Sequence, residues 1–268
     1  MAWHTCRFVD AVAAAGKAEY PLPMFANAWL INAPTQKPGV YPSGGPVDRM
    51  LDIWMAGAPH LDALAPDIYR PDFRAVCQAY VHAGNPLVIP EARRDERCAS
   101  TALYAIGEHE AVMFAPFGID SIELPHPLTE TYRALGEIAP LLLERRGKKM
   151  TAGFYQEKDQ EEWTRDLGIF RLRVKTRSPL KEGAAPGGAI VVALEKDEYL
   201  IAGQGLNFEF ESLDAGRPNA ELLWVDEGDF RRGQWIAGRR LNGDENGHGQ
   251  WINLDNTMQI VKAKIFAY

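Results

Sequence analysis

The chain has 268 residues, 46% of them apolar, and a formal charge of −7, enough for one large domain or two ordinary ones. That acidic balance argues against a nucleic-acid binder, whose footprint is a basic patch, and no stretch approaches the roughly 20 unbroken apolar residues of a membrane span. Three scattered cysteines, Cys6, Cys77 and Cys98, suggest neither a disulfide framework nor a zinc site, and the six histidines show no paired ligand spacing, so no metal or other cofactor is expected.

In chain order, Phe8, Val9, Val12 and Ala13 share one face of a helix running towards Tyr20-Pro21. No basic stretch, apolar core and cleavage site open the chain, so no secretory signal is read. From Pro23 to about Lys148, strands alternate with helices. "PLPMFANAWL" reads as a strand ending near Trp29, "VDRMLDIWMAGA" as a helix, "LDALAPDIY" as a strand ending near Tyr69 and "FRAVCQAYVH" as a helix. "PLVIPEA" is then a strand, "ERCASTALYAIGEH" a helix and "AVMFAPFGID" a strand. A long helix follows in "LTETYRALGEIAPLLLERRGK", with Leu128, Tyr132, Leu135, Ile138 and Leu142 on one stripe. This βαβα order with largely apolar strands implies parallel strands covered by helices.

Each of these strands ends in residues that look presented to a common face: Asn27 and Trp29, Asp67 and Tyr69, Glu91, and Asp120. A doubly wound sheet could be built from four such strands. In a (β/α)8 barrel, however, the active site lies at the C-terminal strand ends and the fold takes roughly 250 residues, so this segment reads as half a barrel, equivalent to strands five to eight. After "ERRGKK" the pattern changes to short alternating strands. "FRLRVKT", "AIVVAL", "EYLIAG", "LNFEFES", "AELLWVDEG", "QWIAGRRL" and "MQIVKAKIFAY" are separated by the turn signals "APGG", "NGDENGHG" and "LDNT". The expected fold class is therefore α/β plus all-β. Residues 1–148 form the half-barrel and residues 149–268 a β-sandwich.

Glu91 closes the apolar run of "NPLVIPEARRD". It reads either as a solvated acid beside Arg93 and Arg94, or as a carboxylate at a barrel mouth among aromatic and amide groups suited to a sugar. Retaining glycosidases use one carboxylate as nucleophile and a second as acid/base, about 5 Å apart. Asp67 and Asp120 are candidate contacts to sugar hydroxyls, or equally helix caps or partners of the two arginines. "PSGGP" at 42–46 is either a loop over the site or a turn before a helix. Trp224, Trp235 and Trp251 are either a sugar-binding face or core. Gly203-Gln204-Gly205 lacks the third glycine and the setting of a dinucleotide loop.

The stretches "MAWHTCRFVDAVAAAGKAEYPLPMFANAWL", "SGGPVDRMLDIWMAGAPHLDALAPDIYRPDF", "NPLVIPEARRD" and "AVMFAPFGID" resemble bacterial β-galactosidases of glycoside hydrolase family thirty-five. "GQWIAGRRLNGDE" resembles the β-rich domain of unassigned function that follows the barrel in one branch of that family. The resemblance implies a retaining β-galactosidase acting on terminal β-galactosides, with Glu91 as nucleophile at the end of the seventh barrel strand. Tyr69, at the end of the sixth, would contact that nucleophile; Asn27, Trp29, Asp67 and Asp120 are the substrate-binding candidates that the strand ends themselves suggest. The family's acid/base glutamate stands in an Asn-Glu pair on the fourth strand, and no residue here matches it. The chain is thus expected to be a C-terminal half with negligible hydrolysis alone. Its expected partners are a β-galactoside and either an N-terminal half-barrel or a second copy, with no nucleic acid and no membrane. The compartment is left open, a periplasmic or secreted full-length protein being one expectation. The alternative is a non-catalytic carbohydrate-binding or interaction protein that uses the β-sandwich.

Overall fold

The computed structural model describes residues 1–33, 35–157, 161–181, 185–195 and 197–268. Helices and three β-sheets form two compact units, Met1–Arg94 with His109–Ser121, and Asp95–Glu108 with Ile122–Tyr268. No helix among the described residues is long and apolar enough to cross a membrane.

The first unit holds α1 (Ala2–Glu19), β1 (Phe25–Trp29), α2 (Leu51–Gly57), β2 (Ala63–Ile68), α3 (Phe73–Tyr80), β3 (Val88–Ala92) and β4 (Met113–Pro116). Its four strands are parallel and lie in the order β1-β2-β3-β4, with no reversal of strand order. Parallel neighbours need crossover connections, and a helix stands in each crossover of the sequence. β2 is buried along its whole length, which explains why Ala63–Ile68 shows no alternation of polar residues.

The apolar face expected of α1 is buried only in part, at Ala13 and, half-way, at Val9. Phe8 and Val12 are 71% and 59% exposed, whereas Ala2, Cys6, Asp10 and Ala13 are buried. The reason is close packing on α2: a Cβ at Gly57 would stand 2.2 Å from the Cys6 sulfur, so only glycine admits the helix there. Asp10 is tolerated in that stripe because its carboxylate is fully engaged. It accepts from the His60 backbone N–H at 2.9 Å, the His60 ring at 2.9 Å and Arg7 at 3.2 Å, and these bonds, led by the backbone one, hold it below the usual carboxylate range.

The second unit contains α4 (Cys98–His109) but for its last residue, and α5 (Pro127–Arg145). It also contains β5 (Thr151–Tyr155), β6 (Glu162–Leu167), β7 (Phe170–Thr176), β8 (Gly188–Ala193), β9 (Glu198–Gln204) and β10 (Leu206–Ser212). The last strands are β11 (Ala220–Arg231), β12 (Gln234–Arg240), β13 (Trp251–Asn253) and β14 (Gln259–Ala267). Four strands pair antiparallel as β13-β10-β7-β6 and six as β12-β11-β14-β9-β8-β5. In β7, Phe170, Leu172 and Val174 are buried while Arg171 is exposed, the alternation expected of "FRLRVKT".

One apolar cluster draws on both sheets. Phe154 of the six-stranded sheet meets Phe208 of the four-stranded sheet edge-on at 5.9 Å, Tyr199 meets Phe210 at 5.3 Å, and the Tyr199 hydroxyl donates to the Leu167 carbonyl at 2.7 Å. Burying each such side chain is worth about 1.5–3 kcal/mol, so this cluster ties the two sheets together.

Candidate functional site

The first unit brings five of the six candidate residues together through strand register. In the parallel pairing Trp29 stands opposite Asp67, and Asp67 opposite Glu91, so three neighbouring strands present these side chains at one level. Asn27 lies two residues from that level on β1 and faces the same side, and Tyr69, just beyond the end of β2, is two residues past Asp67. The Tyr69 hydroxyl donates to Glu91 Oε1, and the Asn27 amide donates to Asp67 Oδ1 at 2.8 Å. Asp120 stands apart. It is exposed in a 3-10 turn, Ile119–Ser121, beyond the end of β4 at Pro116, and not at the strand end where the sequence suggested it.

The backbone explains why Glu91 is aimed there. The register of β3 against β4 shifts between Ile89 and Ala92, a bulge that spans Pro90 and Glu91, and bulges re-aim side chains beside functional sites. The start of β3 is fixed by Asn85, which is buried. Its side chain accepts from the Leu64 N–H at 2.8 Å and donates to the carbonyls of Leu64 at 2.9 Å and Tyr80 at 2.7 Å. That one amide ties β2, the end of α3 and the segment entering β3, so "NPLVIPEARRD" begins with the residue that anchors the strand.

The electrostatics divide the two carboxyls. Burial pushes the Asp67 carboxyl above the ordinary carboxylate range, the charge of Glu91 pushes the same way, and the Asn27 hydrogen bond opposes both. Tyr69 is pushed up by burial and by its bond to Glu91, so it keeps its proton and acts as a donor. Two acids on adjacent strands are therefore inequivalent: burial holds Asp67 above the ordinary carboxylate range, and Glu91 accepts the phenolic hydrogen bond of Tyr69. Chemically this is a partly buried carboxylate held by a phenol, with an exposed indole, Trp29, in its row.

Arg93 and Arg94 take roles that local sequence does not reveal. Arg93 donates to the Tyr69 carbonyl and Arg94 to the Gly118 carbonyl, which fastens the segment after Glu91 to those after β2 and β4. "PSGGP" is a hydrogen-bonded turn ahead of the 3-10 segment Asp48–Met50: Gly45 N–H donates to Pro42 at 2.8 Å, Trp54 to Gly44 at 3.0 Å and the Tyr80 hydroxyl to Pro46 at 2.7 Å.

In the second unit the three candidate tryptophans are not gathered into one surface: Trp224 and Trp235 are on strands of the six-stranded sheet and Trp251 on the four-stranded one. Trp224 lies between Arg240 and Lys262, at 5.2 and 5.8 Å from its ring, Trp235 packs edge-on against Phe230 at 5.5 Å, and Trp251 belongs to the other sheet. Trp235 pairs with Phe230, six residues along β11 from Trp224, or roughly 20 Å of strand. Gly203-Gln204-Gly205 is the end of β9 and a turn, where a Cβ on Gly203 would stand 2.3 Å from the Gly188 carbonyl oxygen.

Residues 128–253 match a family model described as a domain of unknown function, DUF5597. The match contains "GQWIAGRRLNGDE" and runs from α5 through β13. No curated protein matches the chain.

Proposed function

We propose that this chain is the nucleophile-bearing part of a retaining β-galactosidase of glycoside hydrolase family thirty-five, with its four parallel strands forming the second half of a (β/α)8 barrel and its β-rich unit an accessory β-sandwich. The single observation that carries the reading is the Tyr69–Glu91 hydrogen bond at adjacent C-terminal strand ends, in line with Asp67 and Trp29. A nucleophilic carboxylate needs an orienting donor and an apolar platform for the sugar, and these residues supply both. The sequential order of the parallel strands and the apolar cluster shared by the two antiparallel sheets support the two architectural parts.

In this reading Glu91 attacks the anomeric carbon as the bond to the leaving oxygen breaks, giving a glycosyl ester. The pair of electrons leaves on that oxygen, which an alcohol aglycone can carry only with a proton from an acid. General acid assistance is worth about 10²–10⁴-fold, and no residue of this sequence matches the family's acid. The nucleophilic step can nevertheless be tested by itself, because a dinitrophenolate departs without a proton. Incubation with 2,4-dinitrophenyl 2-deoxy-2-fluoro-β-galactoside should give one covalent adduct per chain by intact mass, mapped to Glu91 by peptide sequencing and lost in Glu91→Gln. A folded protein that acquires no adduct, or acquires it on another residue, overturns the reading.

A further inference from the structure

A cavity of about 480 Å³ lies in the first unit between α3 and the segments that follow β1 and β2. It is separate from the row just described, since none of Asn27, Trp29, Asp67, Tyr69 and Glu91 lines it. Leu30 and Val76 give it a buried apolar floor, and its polar side chains are Asn32, Asp48, Arg49, Arg70, Asp72 and Tyr80, of which Asn32, Asp48 and Arg49 are exposed at its rim. Ligand pockets of small molecules usually measure about 300–1,000 Å³ and combine an apolar lining with a few convergent polar groups.

The charges decide what such a cavity can hold. Arg70 and Asp72 satisfy one another: Nε donates to Oδ1 at 2.9 Å, Nη2 donates to the second oxygen, and Nη1 reaches the Ile31 carbonyl at 3.4 Å. Asp48 and Arg49 remain. Asp48 Oδ1 accepts the Arg49 backbone N–H at 2.8 Å, and the carboxylate's charge acts on both Arg70 and Tyr80, which line the cavity. Among the described residues the Arg49 guanidinium has no carboxylate within ion-pair distance. Besides the Asn32 amide, the lining therefore offers the Asp48 carboxylate as an acceptor and the Arg49 guanidinium as a donor on consecutive residues, with two positive and two negative charges in balance. A charged ligand would upset that balance and bring an uncompensated charge against an apolar floor. A neutral ligand with adjacent hydroxyls donates to Asp48, accepts from Arg49 and lays its C–H face on Leu30 and Val76.

We propose that this cavity is a second, non-catalytic binding site for a neutral polyhydroxylated small molecule of monosaccharide to disaccharide size. It does not depend on the nucleophile reading. The test is protein-observed NMR on the full chain, titrated separately with D-galactose, lactose, myo-inositol and, as a charged probe, D-galacturonate. At least one neutral probe should give saturable shifts confined to residues around 30–33, 48–49 and 70–76, with galacturonate weaker. Asp48→Ala removes the acceptor, and Ala75→Trp, on an exposed lining position of α3, fills the space. Each should weaken that binding at least about tenfold, the scale of one lost hydrogen-bonded group, whereas Glu91→Gln should leave it unchanged. Saturable shifts lost in Glu91→Gln but kept in both cavity variants overturn the second site and leave the nucleophile reading standing. Tighter binding of galacturonate than of every neutral probe, or no saturable shift at tens of millimolar, also overturns it.

Discussion

Gly153→Ala tests how α4 packs in the second unit. Gly153 sits in β5 where α4 crosses it, and an added Cβ would stand 2.5 Å from the Tyr104 carbonyl oxygen and 2.6 Å from the Glu108 nitrogen, against the 3.4 Å where ordinary contact begins. Both obstacles are helix backbone, so no rotamer change relieves them and the helix or the strand must move. Gly107 and Gly188 make comparable approaches, at 2.8 Å to the Ala152 carbonyl oxygen and 2.4 Å to the Ser100 Cβ, so the clash cannot be relieved by sliding α4 along the sheet. Overpacking costs about 1–3 kcal/mol, and rigid backbone on both sides puts this site near the upper end. Lower unfolded-chain entropy returns about 0.5–1 kcal/mol, which leaves a net loss of about 2 kcal/mol. For a chain of this size that lowers Tm by about 4–8 °C, measured by circular dichroism. Gly136→Ala is the matched control, since it lies within α5 with nothing within 4 Å of the new Cβ, and it should stabilise by up to about 1 kcal/mol. A Gly153→Ala protein that melts with the wild type would refute the packing of α4 against β5.

Tyr69→Phe removes the donor to Glu91. Bonds to charged groups are worth about 1.5–3 kcal/mol, so labelling by the fluorinated galactoside should slow at least about tenfold. An unchanged rate would remove Tyr69 from the site. Asp67→Asn tests the buried carboxyl: because its folded pKa is raised above 3.8, the folded state binds the proton more tightly, and stability is lost as pH rises through the raised value. The variant is neutral throughout, so its stability relative to wild type in urea should increase from pH 3.8 upward, and a flat or falling difference would contradict the assignment. Asn85→Ala strips partners from Leu64 and Tyr80. It should cost about 3 kcal/mol and slow Glu91 labelling by loosening the start of β3; full stability in urea would show that Asn85 is not the anchor.

The parallel sheet was legible because its strands are continuous apolar runs between amphipathic helices, and Glu91 was legible because such a run ends in an acid. Tyr69 and Asp67 were placed on one side by their spacing of two. The Asn27–Asp67 bond was not legible, since a partner on the next strand depends on parallel register, which one sequence does not encode locally. Three strands escaped the pattern for identifiable reasons. β6 buries Trp163 and Leu167 but carries Arg165 at the intervening position of the same parity, paired to Glu108 at 3.1 Å, so the period of two is broken. β13 spans three residues, and β5 is buried throughout with a glycine at its centre. The buried face of α1 was misassigned in part for a related reason, since a charged residue, Asp10, completes it in place of Phe8 and Val12.

These cases share a cause that bears on the site itself. A buried polar residue takes its hydrogen bonds from an element distant in sequence, His60 for Asp10 and Asn27 for Asp67, and exposed Arg165 takes its ion pair from Glu108 in the same way. In the strand row this device has a functional consequence. A one-residue slip of β3 would turn Glu91 to the other face. Neither its apolar run nor its proline prevents such a slip, because both faces of β3 carry apolar residues. What resists it is polar: Asn85 at the start of the strand, the Tyr69 hydroxyl at its end, and Arg93 on the Tyr69 carbonyl just beyond. The direction of Glu91 is therefore set by the bulge at Pro90 and Glu91 and held by three hydrogen-bonding side chains around it.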